Sequence, residues 1–263
     1  MKMKWGLFFD IDGTLVSFKT HEIPPSTILA LTQAKANGHQ VFIATGRPIQ
    51  IITNIGAIEH LVDGYITTNG AYCYVGDEVV CCNAIAPADV ELMLDDARRY
   101  DYTCVVASET QFALFNPHPD FDQIFIEQLG VKGLNAENTN IEKALSERIL
   151  QFSPFFDIAH EQELMPRLKG CVSGRWHPAF TDITARGTDK GSALHLMARH
   201  LGIDISHMMA FGDGGNDLTM IREAGIGVAM GNANEPVKEQ ADYVTTTVDD
   251  HGVLNALRHF ELI

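Results

Sequence analysis

The chain has 263 residues, 46% of them hydrophobic and 20% charged, a globular composition with room for one large core or two smaller ones. Its 34 Asp and Glu outweigh 19 Lys and Arg, and no basic run offsets the formal net charge of -15. That balance argues against nucleic acid as a partner and requires any anionic ligand to meet a locally reversed charge. The five cysteines are odd in number and lack metal-ligand spacing, which predicts neither a disulfide framework nor a zinc site. Asp10 and Asp12 interrupt the opening apolar run before it reaches signal-peptide length, and no stretch approaches transmembrane length. A cytoplasmic chain with no membrane partner is expected.

In chain order, Trp5–Phe9 reads as a buried strand. Pro24, Pro25 and Ser26 then open a helix to about Asn37, with Ser26 as its expected cap and Gly38 as its stop. Val41–Ala44 and Gly64–Thr67 are further apolar runs, and this alternation predicts a parallel sheet with crossover helices. Tyr72–Val75 and Glu78–Cys82 flank Gly76-Asp77 as a hairpin, so the vicinal Cys81-Cys82 pair falls on a strand. The middle changes character: helices over Pro87–Tyr100, Asp120–Leu129 and Glu161–Leu168 mix with strands near Thr103–Val106, Gln111–Phe115, Gly170–Arg175 and Ala179–Thr184. The strand–helix rhythm then returns, with a helix over Thr188–Leu201 and strands at Met208–Phe211, Ile226–Met230 and Tyr243–Thr246. We therefore expect an α/β core formed by 1–84 and 186–263, with an α+β domain inserted over 85–185.

Four features fall at predicted strand ends or a helix start, where open α/β sheets bind ligands. Asp10 and Asp12, two residues apart on an extended chain, lie on one side of it. Asp-Gly is also a common turn, but two carboxylates so placed repel unless a cation or a proton intervenes. One can attack phosphorus while a neighbour of raised pKa supplies a proton. Thr45 and Gly46 read as a helix cap whose hydroxyl and free N–H groups also suit an anion. Lys190 sits in the first turn of a helix, where the dipole disfavours it; it is either solvated or placed there for a phosphate. Gly212–Asp217 is a flexible turn or a loop that lets backbone approach a ligand, with Asp213 and Asp217 as hard oxygen ligands. Arg175, Trp176 and His177, between two predicted strands, suit either a sugar or a turn.

Together these segments resemble the haloacid dehalogenase superfamily, in its Cof-type subfamily IIB of sugar phosphatases. Asp10-Ile11-Asp12-Gly13-Thr14-Leu15, Ala44-Thr45-Gly46-Arg47, Lys190-Gly191 and Gly212-Asp213-Gly214-Gly215-Asn216-Asp217 match its four motifs in order, and Ile66-Thr67-Thr68-Asn69-Gly70-Ala71 looks like the same branch. The resemblance implies a Rossmann-like doubly wound core with an α/β cap of the C2B type that sets specificity. It implies a Mg2+-dependent phosphatase for small phosphomonoesters, most of all hexose phosphates, acting as a monomer or small homo-oligomer. By similarity, Asp10 is the nucleophile and Asp12 the general acid and base. Thr45, Gly46, Lys190 and Asn216 hold the phosphate. The metal is held by Asp10, the Asp12 carbonyl and Asp213, with Asp217 orienting that shell. A phosphomutase of the same superfamily, or a non-catalytic module that binds phosphate or metal, are the competing readings.

Overall fold

The computed structural model describes residues 4–128 and 139–263, which divide into two compact units. Met1–Gly46, Asn54–Cys81 and Asp189–Ile263 form the first; Arg47–Thr53 and Cys82–Thr188 form the second.

The first unit is an eight-stranded sheet in the order β13-β12-β11-β1-β2-β3-β4-β5. Its centre is β1 (Gly6–Phe9), which pairs in parallel with β11 (Met208–Gly212) on one side and β2 (Gln40–Ala44) on the other. The parallel run continues through β3 (Gly64–Thr67), β12 (Ile226–Ala229) and β13 (Tyr243–Val244). The hairpin of β4 (Tyr72–Val75) and β5 (Glu78–Cys82) turns at Gly76, whose φ is +54°, and extends the sheet beyond antiparallel β4. The central strands are apolar throughout, because parallel sheets bury both faces. Phe8 stacks on Phe42 at 4.6 Å, and Phe9 on Phe211 at 4.5 Å. The strand order reverses at β1, so the crevice beyond the carboxyl ends of β1, β2 and β11 is the topological switch point.

Helix α1 spans Pro25–Ala36 with Pro24 at its cap position and no side-chain cap bond. The expected Ser26 cap is corrected: with Pro25 as the first helical residue, Ser26 is already inside the helix, and its hydroxyl meets His251 Nδ1 at 2.9 Å. None of the five cysteines is in a disulfide. No helix among the described residues is long and apolar enough to cross a membrane.

The second unit is a five-stranded antiparallel sheet in the order β7-β6-β8-β10-β9. Strands β6 (Cys104–Ser108), β7 (Phe112–Phe115), β9 (Cys171–His177) and β10 (Phe180–Ala185) lie near their expected places. The middle strand, β8 (Ile149–Pro154), is not among the strands expected. Every one of its residues is buried although Gln151 and Ser153 alternate with Leu150 and Phe152, and Pro154 argues against a central strand. Two of its buried polar groups bond within the sheet: Gln151 Nε2 donates to Ser153 Oγ at 3.1 Å, and Ser153 Oγ to Asp182 Oδ1 at 2.6 Å. One face packs Val106, Phe152 and Ile183 with Met93 and Ala97 of α2 (Pro87–Tyr100). On the other face Val105, Phe125, Phe155 and Phe180 cluster with Ile51, which is why Arg47–Thr53 belongs to this unit. The expected Glu161–Leu168 helix is α4 (Ile158–Leu164), started earlier by Asp157, which accepts the His160 N–H at 2.9 Å. The expected Asp120–Leu129 helix is present over Asp122–Gln128, and Leu129 lies outside the described residues. Helix α3 (Ile141–Leu145) is too short to show a period.

Phe152 is fully buried in the central strand of this sheet, so Phe152→Ala should cost about 3–5 kcal/mol, read as a lowered urea midpoint. A midpoint unchanged from the parent would contradict the central placement of β8.

Candidate active site

Asp10 leaves β1 with its N–H donating to Phe211 O at 3.0 Å, which keeps it on the line of the strand. The chain then winds tightly: Ile11 O accepts the N–H groups of Leu15 at 3.0 Å and Val16 at 2.8 Å. Gly13 makes this possible at φ +84°, and a Cβ there would fall 2.2 Å from Asp213 Oδ2. Asp12 lies within this turn, bridged to Val16.

From β11 the chain turns through Gly212 to Asp217, whose carboxylate is fully buried and fully used. Asp217 Oδ2 accepts the N–H groups of Asp213 at 3.0 Å and Gly214 at 2.9 Å; Oδ1 accepts Lys190 Nζ at 2.6 Å. Lys190 opens α5 (Lys190–Leu201), capped by Asp189, which accepts the Ser192 N–H at 2.9 Å. Its ammonium is fully buried and also donates to Asp10 Oδ1 at 2.7 Å. Lys190 is therefore not a solvated lysine.

Asp10, Asp213 and Asp217 each present an oxygen within 4.8 Å of the others. One ammonium faces three carboxylates. Burial holds the Asp10 carboxyl well above the usual carboxylate range against the pull of Lys190, and Asp217 and Asp12 push it further. Burial, followed by Asp217, pushes Asp213 up to about 7. Burial would lower the Lys190 pKa, but Asp10 and Asp217 outweigh it and raise it. A cluster this short of positive charge, built of hard oxygens, fits a divalent cation. Asp10 and Asp213 are the carboxylates with capacity for one, since Asp217 is taken by Lys190 and two amides.

Thr45, after β2, is buried and donates its N–H to Ile66 O at 2.8 Å. No α-helix starts there, which corrects the expected cap: Pro48 precedes a single turn over Ile49–Ile51. Gly46 is kept bare by amides, because a Cβ would lie 3.0 Å from Asn69 Oδ1 and 3.4 Å from Asn216 Nδ2. Asn216 Nδ2 donates to Asn69 Oδ1 at 3.1 Å, so Gly46, Asn69 and Asn216 form one small cradle. Asn69 sits in an unusual turn, with Thr68, Asn69 and Gly70 at φ +54°, +53° and +100°. Each of the two non-glycine positions costs about 1–3 kcal/mol of backbone strain.

Two site residues escaped the sequence reading. Asn232, in the loop after β12, donates Nδ2 to Gly13 O at 2.8 Å and Asp213 Oδ2 at 3.3 Å, while its Oδ1 accepts the Val248 N–H at 2.9 Å. Its position just past a parallel strand was the available signal. Thr14 Oγ1 donates to Asp213 Oδ1 at 3.3 Å. In the second unit, Arg175 organises a turn: its guanidinium donates to Glu161 Oε2 at 2.6 Å and to the carbonyls of Phe156, Pro178 and Phe180 at 3.0, 3.0 and 3.2 Å. His177 stacks on Phe180 at 5.0 Å, and the Trp176 side chain lies outside the description.

A family model for haloacid dehalogenase-like hydrolases matches residues 7–257. The chain is similar to the solved subclass IIB sugar phosphatase BT4131, with 44% identity, a TM-score of 0.87, and coverage of 98% of this chain and 100% of that one. It is also similar to the phosphatase BT1666 of Bacteroides thetaiotaomicron, at 37% identity and a TM-score of 0.86 over 99% of this chain and 96% of that one. Among curated relatives, the 5-amino-6-(5-phospho-D-ribitylamino)uracil phosphatase YcsE of Bacillus subtilis is 29% identical over 96% of this chain and 94% of its own length.

Removing the buried cation should expose how far the site depends on it. Lys190→Met leaves two buried carboxylates uncompensated and should lower stability by about 3–5 kcal/mol in chemical denaturation. A variant as stable as the parent would show that the bridge does not hold the site together.

Proposed function

The chain belongs to the haloacid dehalogenase-like hydrolases, in their Cof-type subclass IIB branch, and is a phosphoric monoester hydrolase; from that premise we propose that it is a Mg2+-dependent phosphatase of sugar phosphates. The observation that carries the chemistry is the buried Lys190 shared by Asp10 and Asp217 beside Asp213, at the switch point of the sheet.

In this reading Asp10 attacks phosphorus in line, and the P–O bond to the leaving oxygen breaks as the aspartyl-phosphate forms. Asp12 gives its proton to that oxygen, then takes one from the water that hydrolyses the aspartyl-phosphate. Lys190 neutralises Asp10 and the incoming phosphate, while Thr45, the Gly46 N–H and Asn216 receive phosphate oxygens. Asp10, the Asp12 main-chain carbonyl and Asp213 would hold Mg2+, with Asp217 fixing the Asp213 loop. When bound, the ion supplies positive charge to the phosphate and the nucleophile. Asn232 and Thr14 keep the Asp213 carboxylate facing the turn of Asp12 and Gly13.

The substrate class follows from chemistry common to two relatives. One is a sugar phosphatase, and the other's name gives a phosphate on a ribityl chain. In both, phosphate is esterified to a polyhydroxylated carbon chain, whose alcohol is a poor leaving group. That is the case in which a proton from Asp12 matters most. We assign the choice of substrate to the second unit, which supplies none of the carboxylates or the lysine of the site.

Asp10→Asn should abolish phosphate release from a sugar phosphate with the far-UV circular dichroism preserved and the melting temperature lowered, because Lys190 loses one of its two buried carboxylates; residual turnover would remove Asp10 from the nucleophile's role. Asp12→Asn should slow hexose-phosphate hydrolysis roughly 10²–10⁴-fold while sparing an aryl phosphate far more. Equal losses on both would contradict the acid role. Chelation with EDTA should stop turnover and Mg2+ should restore it, with inorganic phosphate, not an isomerised ester, as product.

A further inference from the structure

We infer that Asn69 is a positioning residue for phosphate binding, acting through the side-chain amide of Asn216; this rests on the reading that Asn216 holds a phosphate oxygen. The first observation is backbone conformation. Thr68, Asn69 and Gly70 run consecutively at positive φ, and only the last is the residue that adopts it freely. Glycine at position 69 would make the same turn without strain, so the turn alone does not account for a side chain there.

The second observation is where that side chain goes. Asn69 Oδ1 accepts Asn216 Nδ2 at 3.1 Å. The Asn69 N–H donates to Thr45 O at 3.1 Å, and a Cβ on Gly46 would lie 3.0 Å from Asn69 Oδ1. One strained residue after β3 thus connects the end of β2 to the loop after β11. The same turn is packed from behind, since a Cβ at Gly70 would fall 2.5 Å from the carbonyl of Asp189, the cap of the helix that starts with Lys190.

The third step is chemical. A primary amide carries two hydrogens on nitrogen and an acceptor oxygen. Asn216 is exposed and follows two glycines, and its hydrogen bond to Asn69 fixes which end of the amide is left for a ligand. By accepting one hydrogen, Asn69 leaves the other for a phosphate oxygen. Released from Asn69, the amide offers its oxygen as readily as its nitrogen, and the oxygen repels a phosphate dianion.

Asn69→Gly separates the two roles of the residue, because it keeps the left-handed backbone and deletes only the amide. With 4-nitrophenyl phosphate as substrate and inorganic phosphate as competing product, Asn69→Gly should raise KM and the phosphate inhibition constant roughly tenfold, with kcat little changed and the melting temperature held. Asn216→Ala should give a similar loss. The double variant Asn69→Gly/Asn216→Ala should be no weaker than Asn216→Ala alone, since Asn69 has then nothing to aim. Additive losses would overturn the inference, as would an unchanged KM in Asn69→Gly, whatever its melting temperature. An Asn216→Ala enzyme with parental KM would instead reject Asn216 as a phosphate ligand, and the inference with it.

Discussion

Burial of the Lys190 ammonium between Asp10 and Asp217 is the constraint to which the rest of the core answers. A charge taken fully out of water is tolerated only where close partners replace its hydration. Those partners come from 180 residues away in one case and 27 in the other. They meet because β1 and β11 are parallel neighbours with Phe9 opposite Phe211, so both strands deliver their next residues to one end of the sheet. The helix dipole disfavours a cation in its first turn, and the two carboxylates overcome that placement. Asp217 in turn uses its second oxygen to hold the amides of the Asp213 loop, so one ion pair also sets the shape of that loop.

The two units meet different physical demands. The first buries both faces of a mainly parallel sheet, so its central strands are largely apolar and its buried carboxylates lie at strand ends. The second also buries both faces, but in an antiparallel sheet that places Gln151, Ser153 and Thr181 in its interior. Its core is aromatic on one side, where Phe125, Phe155 and Phe180 pack within 6 Å of one another. Such a division keeps the buried carboxylates of the first unit apart from the aromatic core of the second.

Much of the core was legible because three of the candidate site residues follow directly on a strand: Asp10 after Phe9, Thr45 after Ala44, Asp213 after Gly212. Periodicity and turn chemistry are local signals, and those sites are local to their strands. What stayed hidden was either non-local or without contrast. Asn232 looks like any loop amide until the fold brings Gly13 and Asp213 to it. Strand β8 ends in Pro154, which argues against a central strand, and its polar Gln151 and Ser153 are buried rather than turned to water. Arg47–Thr53 carries no break in composition; its unit is decided by where Ile51 packs. Ser26 follows two prolines in the pattern of a cap, but with Pro25 in the first helical position the cap falls at Pro24, two residues before the serine.

The bonds made by Arg175 bear on how such an enzyme could be retargeted. Arg175 lies next to an aromatic residue in the unit to which we assign the choice of substrate, a pairing that invites replacement in any library aimed at new substrates. Here the guanidinium is spent on Glu161 and on backbone carbonyls from two segments, so varying it would mainly sample misfolded turns and hide gains made elsewhere. A productive library holds Arg175 constant as scaffold and spreads its diversity over the side chains that the turn displays.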